Sequence, residues 1–287
     1  MRKTVLLSTL AFASSFAFAD EVTSMTQIEN GQKQAIELHT SVGELAANLY
    51  LPEGVDNPAV VVVTGAWTTV KEQMPATYAE ALVKQGYAAV TFDFRGWGES
   101  KDAIQYLEDP SRKAEDINAV IDAVSQLDGI NADKIAGLGI CASSGYMLDA
   151  ATANAQLKAV ALVAPWLHNP EMATAIYGGE ENAAALLASA KAAANSEQPV
   201  FIEAASTTNA ESLMYQAPYY TETDRGLIPE YDNLYNVASW TGWLNYDALA
   251  SAQNLEKPVM MVASEAMALP GGAHAYLEQS GDNIQAV

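Results

Sequence analysis

One stretch of the chain has the residue types and order for covalent chemistry: residues 133–146, DKIAGLGICASSGY. Residues 135–140 form a short apolar run fit for a buried strand. Cys141 follows, and the small residues Ala142, Ser143, Ser144 and Gly145 lead into a helical pattern through Met147 and Leu148. Strand, nucleophile, small residues and helix, in that order, describe a nucleophile elbow, a strained turn that lifts one side chain above a sheet. The residues around it must be small because the turn brings backbones close together. Two registers fit. Either Cys141 is the nucleophile, with Gly139 two before it and Ser143 and Ser144 on the tight side, or Ser143 is, with Cys141 two before and Gly145 two after. The strand favours Cys141, because residues 135–140 end directly at it. The competing use of a lone cysteine is as a small buried hydrophobe.

The elements that must position this turn can be read on either side of it. Residues 34–51 (QAIELHTSVGELAANLYL) form two strands around a turn at Ser41, Val42 and Gly43, and His39 in this hairpin is given no role. Residues 59–64 (AVVVVT) are a continuous β-branched run, the mark of a strand buried on both faces of a parallel sheet. A helix over residues 71–86, a buried strand over 88–92, the loop DFRGWGES and a helix over 111–127 follow. Residues 128–133 make a plain turn rather than a calcium loop, since the remaining ligand spacing is missing. Residues 158–164 (KAVALVA) and 258–263 (PVMMVA) are further strands, residues 272–280 a last helix, and residues 284–287 the opening of a final strand. Alternating strands and helices predict an α/β fold, a mostly parallel sheet with helices on both faces. Right-handed crossovers bring the loops after Thr64, Phe92, Ile140 and Ala164 to one edge, where sites on open α/β sheets lie.

The rhythm breaks for about eighty residues after Pro165. An Ala-rich helix and a run of aromatics (Tyr215, Tyr219, Tyr220, Tyr231, Tyr235, Trp240, Trp243) read as a cap over the catalytic edge; the rings either wall an apolar pocket beneath it or, for most of them, form the cap's own core. The expected organisation is a signal peptide over 1–19, a first core segment over 20–165, a cap over 166–245 and a second core segment over 246–287. Arg2 and Lys3, a mostly apolar run over residues 5–18 and the small-x-small site at Ala17 and Ala19 predict export. That run falls short of the about 20 residues a membrane span needs. The mature protein is thus expected in the periplasm or outside the cell, where a single cysteine makes no internal disulfide.

The charge limits the partners. Against 35 Asp and Glu stand 14 Lys and Arg, a formal charge of −21, and signal removal makes it two units more negative. Such a surface argues against nucleic acid and anionic membranes as partners, and a small-molecule substrate is expected. No cysteine and histidine cluster has metal-ligand spacing and no Gly-rich phosphate loop occurs, so no metal or organic cofactor is expected. The oligomeric state is not legible.

The elbow, VVVVTGAWTTVKEQM, DFRGWGES and PVMMVASEAMALP together resemble the α/β-hydrolase superfamily, in particular its dienelactone-hydrolase-like and Xaa-Pro-peptidase-like members. The likeness runs from about residue 34 to the end. The elbow departs from the common Gly-x-Ser-x-Gly in having Cys141 as nucleophile and Ser143 in place of the second glycine. A cysteine there is similar to dienelactone hydrolases, which implies cleavage of a small ester, lactone or related acyl compound before a peptide. Cys141 would attack the carbonyl and form a thioester, with its thiolate favoured by the N-terminus of the elbow helix. The resemblance makes the N–H groups of Ala142 and Ala66 the oxyanion donors, with Trp67 the alternative to Ala66. It makes Glu265 the acid of a triad, the alternative being a solvated loop residue, and Trp67, Trp166 and His168 are candidate pocket residues. Asp93 and Arg95 are expected to form a structural turn and ion pair.

The base is the gap. In this fold order the histidine follows the last strand, which is barely begun at Val287, so the C-terminal end of the fold is expected to be missing or the triad incomplete. His274 lies in the preceding helix. His168, after a sheet strand, is expected at the cap hinge or the pocket wall, the alternative being an approach to Cys141 from the catalytic edge. A non-catalytic binding protein that keeps the fold without the histidine is the alternative function.

Overall fold

The computed structural model describes residues 25–287; the expected signal peptide lies outside them. β1 (Met25–Ile28), β2 (Gly31–Thr40) and β3 (Gly43–Pro52) form an antiparallel edge. β4 (Ala59–Thr64), α1 (Met74–Lys84), β5 (Ala88–Phe92), α2 (Pro110–Val124), β6 (Asn131–Ile140), α3 (Ser143–Ala153) and β7 (Leu157–Val163) then alternate. β12 (Val259–Val262), α8 (Pro270–Gln279) and β13 (Ile284–Ala286) complete a nine-stranded sheet of order β1-β2-β3-β5-β4-β6-β7-β12-β13, parallel from β5 onward.

Side-chain alternation explains why helices cover both faces. Val60 and Val62 of β4 point to one side, into a core with Ile117, Val120 and Ile121 of α2 and Met147 and Leu148 of α3. Val61 and Val63 point to the other, against Ala79 and Val83 of α1. A strand with apolar residues on both faces has no solvent side, and β5 is buried throughout. α2 starts where Asp109 accepts the N–H of Arg112 at 3.0 Å and Pro110 occupies the first turn.

Between β7 and β12 the chain leaves the sheet. It forms α4 (Pro170–Ile176), α5 (Glu180–Ala194), β8 (Phe201–Glu203), β9 (Ala205–Ser206), β10 (Met214–Tyr215), α6 (Pro218–Thr221), β11 (Leu234–Asn236) and α7 (Ser239–Leu244). These pieces lie over the ends of β4 and β6. Asn236 is bonded to the carbonyls of Gln105 and Tyr106, Gln73 Nε2 donates to the Gly226 carbonyl at 2.6 Å, and Gly98 N–H donates to Asp232 at 2.7 Å.

The expected pairing of Asp93 with Arg95 is corrected. Asp93 is buried and takes Lys71 Nζ at 2.7 Å, while Arg95 turns to Asp116 and Glu115. Both acids answer the same need, a buried charge with a partner. Asp93 Oδ2 also accepts the N–H of Glu99 at 3.0 Å, which holds the DFRGWGES turn.

Candidate active site

Cys141 sits between β6 and α3 at φ 56°, in the left-handed region that a side chain adopts only under constraint. The constraint is visible: its N–H donates to the Val163 carbonyl at 3.0 Å, and its own carbonyl accepts the N–H groups of Trp166 at 2.9 Å and Ser144 at 3.1 Å. A Cβ on Gly139 would stand 2.8 Å from both the Ser143 carbonyl oxygen and the Ser144 Cα, so only glycine lets α3 start this close to β6. Ser143 is buried, with its hydroxyl tied to the backbone N–H and carbonyl of Ile140, both at 3.2 Å. It closes the turn; the side chain the elbow presents to the cavity is Cys141.

Two backbone N–H groups are directed at Cys141 Sγ, those of Ala142 and Trp67. Ala142 was expected; Trp67 replaces Ala66. The reason lies in the loop after β4: the Ala66 carbonyl accepts Thr69 N–H at 3.2 Å and Thr69 Oγ1 at 2.7 Å, and Thr68 takes φ 62°. This tight turn aims the following N–H, not that of Ala66, at the sulfur. Cys141 is half-buried, and its uncovered part opens into the cavity. Burial pushes its thiol up to about 11, the two N–H groups oppose that, and Glu108 adds to it. The N–H of Ala142 at the start of α3 favours the thiolate, as expected, but desolvation is the larger cause and the thiol is raised on balance.

Sequence reasoning missed Glu108. It is fully buried, its Oε1 accepts the hydroxyl of Tyr146 at 2.8 Å, and its Oε2 accepts Lys113 Nζ at 2.8 Å and the N–H of Thr68 at 3.3 Å. Its N–H donates to Ser239 Oγ of α7 at 2.9 Å. One carboxylate thus joins the loop after β4, α2 and α3, and the residue's backbone adds the inserted segment. The sequence held one signal, an acidic residue in the loop before α2, and nothing in a single chain tells such an acid from a solvated one.

The cavity has a volume of about 800 Å³ and is walled by Trp67, Trp166, Tyr177, Tyr220, Trp240 and Trp243, with Leu186 and Leu213. Trp67 stacks on Trp243 with centroids 4.8 Å apart. Trp67 and Trp166 therefore line it as expected.

His168 does not. It is buried behind the wall, where Nδ1 accepts Trp166 Nε1–H at 3.0 Å and Nε2–H donates to the Trp243 carbonyl at 2.9 Å. A carbonyl only accepts, so this pairing sets the neutral tautomer and engages both nitrogens. Burial holds its pKa below the usual histidine value. Its place is the hinge where β7 leaves the sheet, packed 4.6 Å from the Trp243 ring.

Glu265 follows β12 as expected but stands exposed, 2.9 Å from His274 Nε2 of α8 and away from the cavity wall. His39 pairs with Glu44 across the β2–β3 hairpin at 3.4 Å. Among the described residues, then, the site joins Cys141 and two N–H donors to an aromatic cavity, while no histidine lines it.

Known proteins agree with this architecture. The chain is 28% identical over 233 residues to uncharacterized protein YcjY of Escherichia coli K12, covering 76% of each. It is 25% identical over 216 residues to the thiohydrolase aneE of Aspergillus aculeatus, covering 69% of this chain and 66% of that one. The crystal structure of hypothetical protein PA2218 from Pseudomonas aeruginosa superposes with a TM-score of 0.80 at 21% identity, over 92% of this chain and 90% of that one. Residues 56–220 match the family Hydrolase_4, serine aminopeptidase S33, although a cysteine stands at this chain's elbow. That match spans more than half of the sequence and takes in the elbow, the loop after β4 and the start of the insertion, so the chain belongs to the serine aminopeptidase S33 family of α/β hydrolases.

Proposed function

We propose that the protein is an exported, dienelactone-hydrolase-like enzyme that cleaves an ester, lactone or related acyl compound through Cys141. The observation that carries this reading is Cys141 at φ 56° with the N–H groups of Ala142 and Trp67 turned to its sulfur. A carbonyl carbon bonded to this sulfur would bring its oxygen next to the same two donors, which would then stabilise a tetrahedral intermediate at about 3 kcal/mol each. The thiol gives up its proton, sulfur bonds to the carbonyl carbon, and the carbon–oxygen bond to the leaving alcohol breaks as that oxygen takes a proton. Water then attacks the thioester, releasing the carboxylic acid and restoring the thiol. The thiohydrolase likeness and the family support acyl cleavage in general. An aminopeptidase would need a negative group for the substrate's ammonium, and the described cavity wall has no charged side chain.

The raised thiol pKa and the lack of a histidine on the described wall favour one second reading, a binding protein that holds an acyl compound without turnover. Incubating the protein with p-nitrophenyl hexanoate, with and without added imidazole as external base, separates the two. The hydrolase reading expects p-nitrophenol release above the protein-free background at the same imidazole concentration and a hexanoyl thioester that peptide mapping puts on Cys141, both faster with imidazole and both lost in Cys141→Ala. An adduct on Ser143 would move the chemistry to the other register. Ester binding with no adduct under either condition supports the binding protein.

A further inference from the structure

The cavity walls carry information about what enters. Most of their ring-borne polar atoms are already engaged in hydrogen bonds within the protein. Trp243 Nε1–H donates to Tyr177 Oη at 2.8 Å, Trp166 Nε1–H to His168 at 3.0 Å, and the Tyr220 hydroxyl to the Trp67 carbonyl at 3.2 Å. Trp67 Nε1 and Ser212 Oγ have no partner, and both atoms are closed off from solvent-sized access. Away from Cys141 the interior thus offers a ligand apolar and aromatic surface, with Asn182 exposed at the rim as the polar exception.

Charge and size point the same way. A chain of net charge −21 repels anions, and a carboxylate inside this wall would meet no cation. A cationic ligand would need rings arranged as an open box. Here Trp67, Trp240 and Trp243 pack on each other, with Trp67 centred 6.1 Å from Trp240 and 4.8 Å from Trp243, as a continuous wall. A volume of about 800 Å³ is in the range that encloses a drug-sized molecule, and an acetyl group would leave most of it unfilled.

We infer that the site takes a bulky, uncharged, apolar acyl group, seated against the Trp67, Trp166, Trp240 and Trp243 wall with its carbonyl at Cys141. This deepens the acyl-compound reading and rests on it, replacing the small ester expected from resemblance by a hydrophobic one.

Four of the five tryptophans line the cavity and the fifth, Trp97, lies in the core, so intrinsic fluorescence reports on filling. Cys141→Ala is titrated with ethyl 4-phenylbutanoate, ethyl acetate, diethyl suberate and the monoethyl suberate anion. Wild-type Cys141, alkylated by iodoacetamide in the presence of each ester, gives the same ranking by protection if the variant folds poorly. Ethyl 4-phenylbutanoate should bind on the order of a hundredfold more tightly than ethyl acetate, and the diester at least about tenfold more tightly than the monoanion. Equal affinity for the acetate, tighter binding of the anion, or tighter binding of a 4-(trimethylammonio)butanoate ester than of the neutral phenyl ester overturns the inference. The hydrolase reading fails separately: there the ranking holds, yet the wild type forms no thioester.

Discussion

Glu108 accepts the backbone N–H of Thr68 at 3.3 Å, and Thr68 is the residue after Trp67, whose own N–H faces Cys141 Sγ. A carboxylate buried under α2 therefore holds the left-handed turn that aims one of the two donors. The same carboxylate takes Tyr146 of α3, so the loop and the helix that carry the two N–H donors are tied to one group.

This makes Glu108 a positioning residue, and charge and shape can be tested apart. Glu108→Gln leaves Lys113 buried without its counter-charge and should cost about 3–5 kcal/mol in a urea melt. Adding Lys113→Met should recover most of that loss. Glu108→Leu with Lys113→Met should also fold, but Thr68 N–H loses its acceptor. The acylation rate from a p-nitrophenyl ester should then drop about tenfold to a hundredfold with KM little changed. A double variant that acylates at the wild-type rate would remove Glu108 from the positioning role.

Cys141 supplies a pH test. Its thiol is pushed up to about 11 from an ordinary value of 9.0, chiefly by burial. Iodoacetamide alkylation should thus still be climbing above about pH 10, where an ordinary thiol has nearly levelled off. Linkage gives the sign for stability: the native state keeps its proton where the unfolded chain has lost it. This contribution is complete below about pH 9 and disappears as pH rises to about 11. Melting curves across that window should show the loss in the wild type and not in Cys141→Ala.

Backbone strain at the same residue separates two truncations. Cys141→Ala keeps a side chain at φ 56°, whereas glycine adopts that conformation freely. Relief of about 1–2 kcal/mol, less glycine's greater unfolded freedom, should leave Cys141→Gly about 1 kcal/mol more stable than Cys141→Ala. The reverse order in parallel urea melts would mean that the elbow is not strained.

His168 should behave as part of the wall. With both nitrogens engaged and its pKa lowered by burial, it contributes stability that is present above about pH 6.5 and lost as pH falls through its depressed native value. His168→Asn should loosen Trp166 and Trp243 and weaken binding of apolar esters by about tenfold or more, while the pH profile of Cys141 alkylation stays in place. A shifted profile would give His168 a proton-transfer role that its hydrogen bonds speak against.

The elements and their order were legible because each rests on local pattern. Five consecutive apolar residues in β4 require cover on both faces, and Cys141 ends its strand where small residues begin α3. Corrections arose where a long-range partner made the choice. Asp93 and Arg95 are two residues apart, yet Lys71 and Asp116 claim them. Ala66 and Trp67 are neighbours, and only the fold of the loop between Thr64 and Val70 decides which N–H meets the sulfur.

The amino-acid sequence by itself determined the α/β architecture, the elbow at Cys141 and the presence of an aromatic insertion, since hydrophobic period, turn chemistry and residue size act over a few neighbours. The tertiary structure alone decided what surrounds Cys141: a thiol raised by burial, Trp67 as the second donor, Glu108 beneath the loop, and His168 locked behind the wall. Desolvation and hydrogen bonding are properties of assembled neighbours. Glu108 and Thr68 are 40 positions apart in the chain, and no spacing rule joins them before the sheet does.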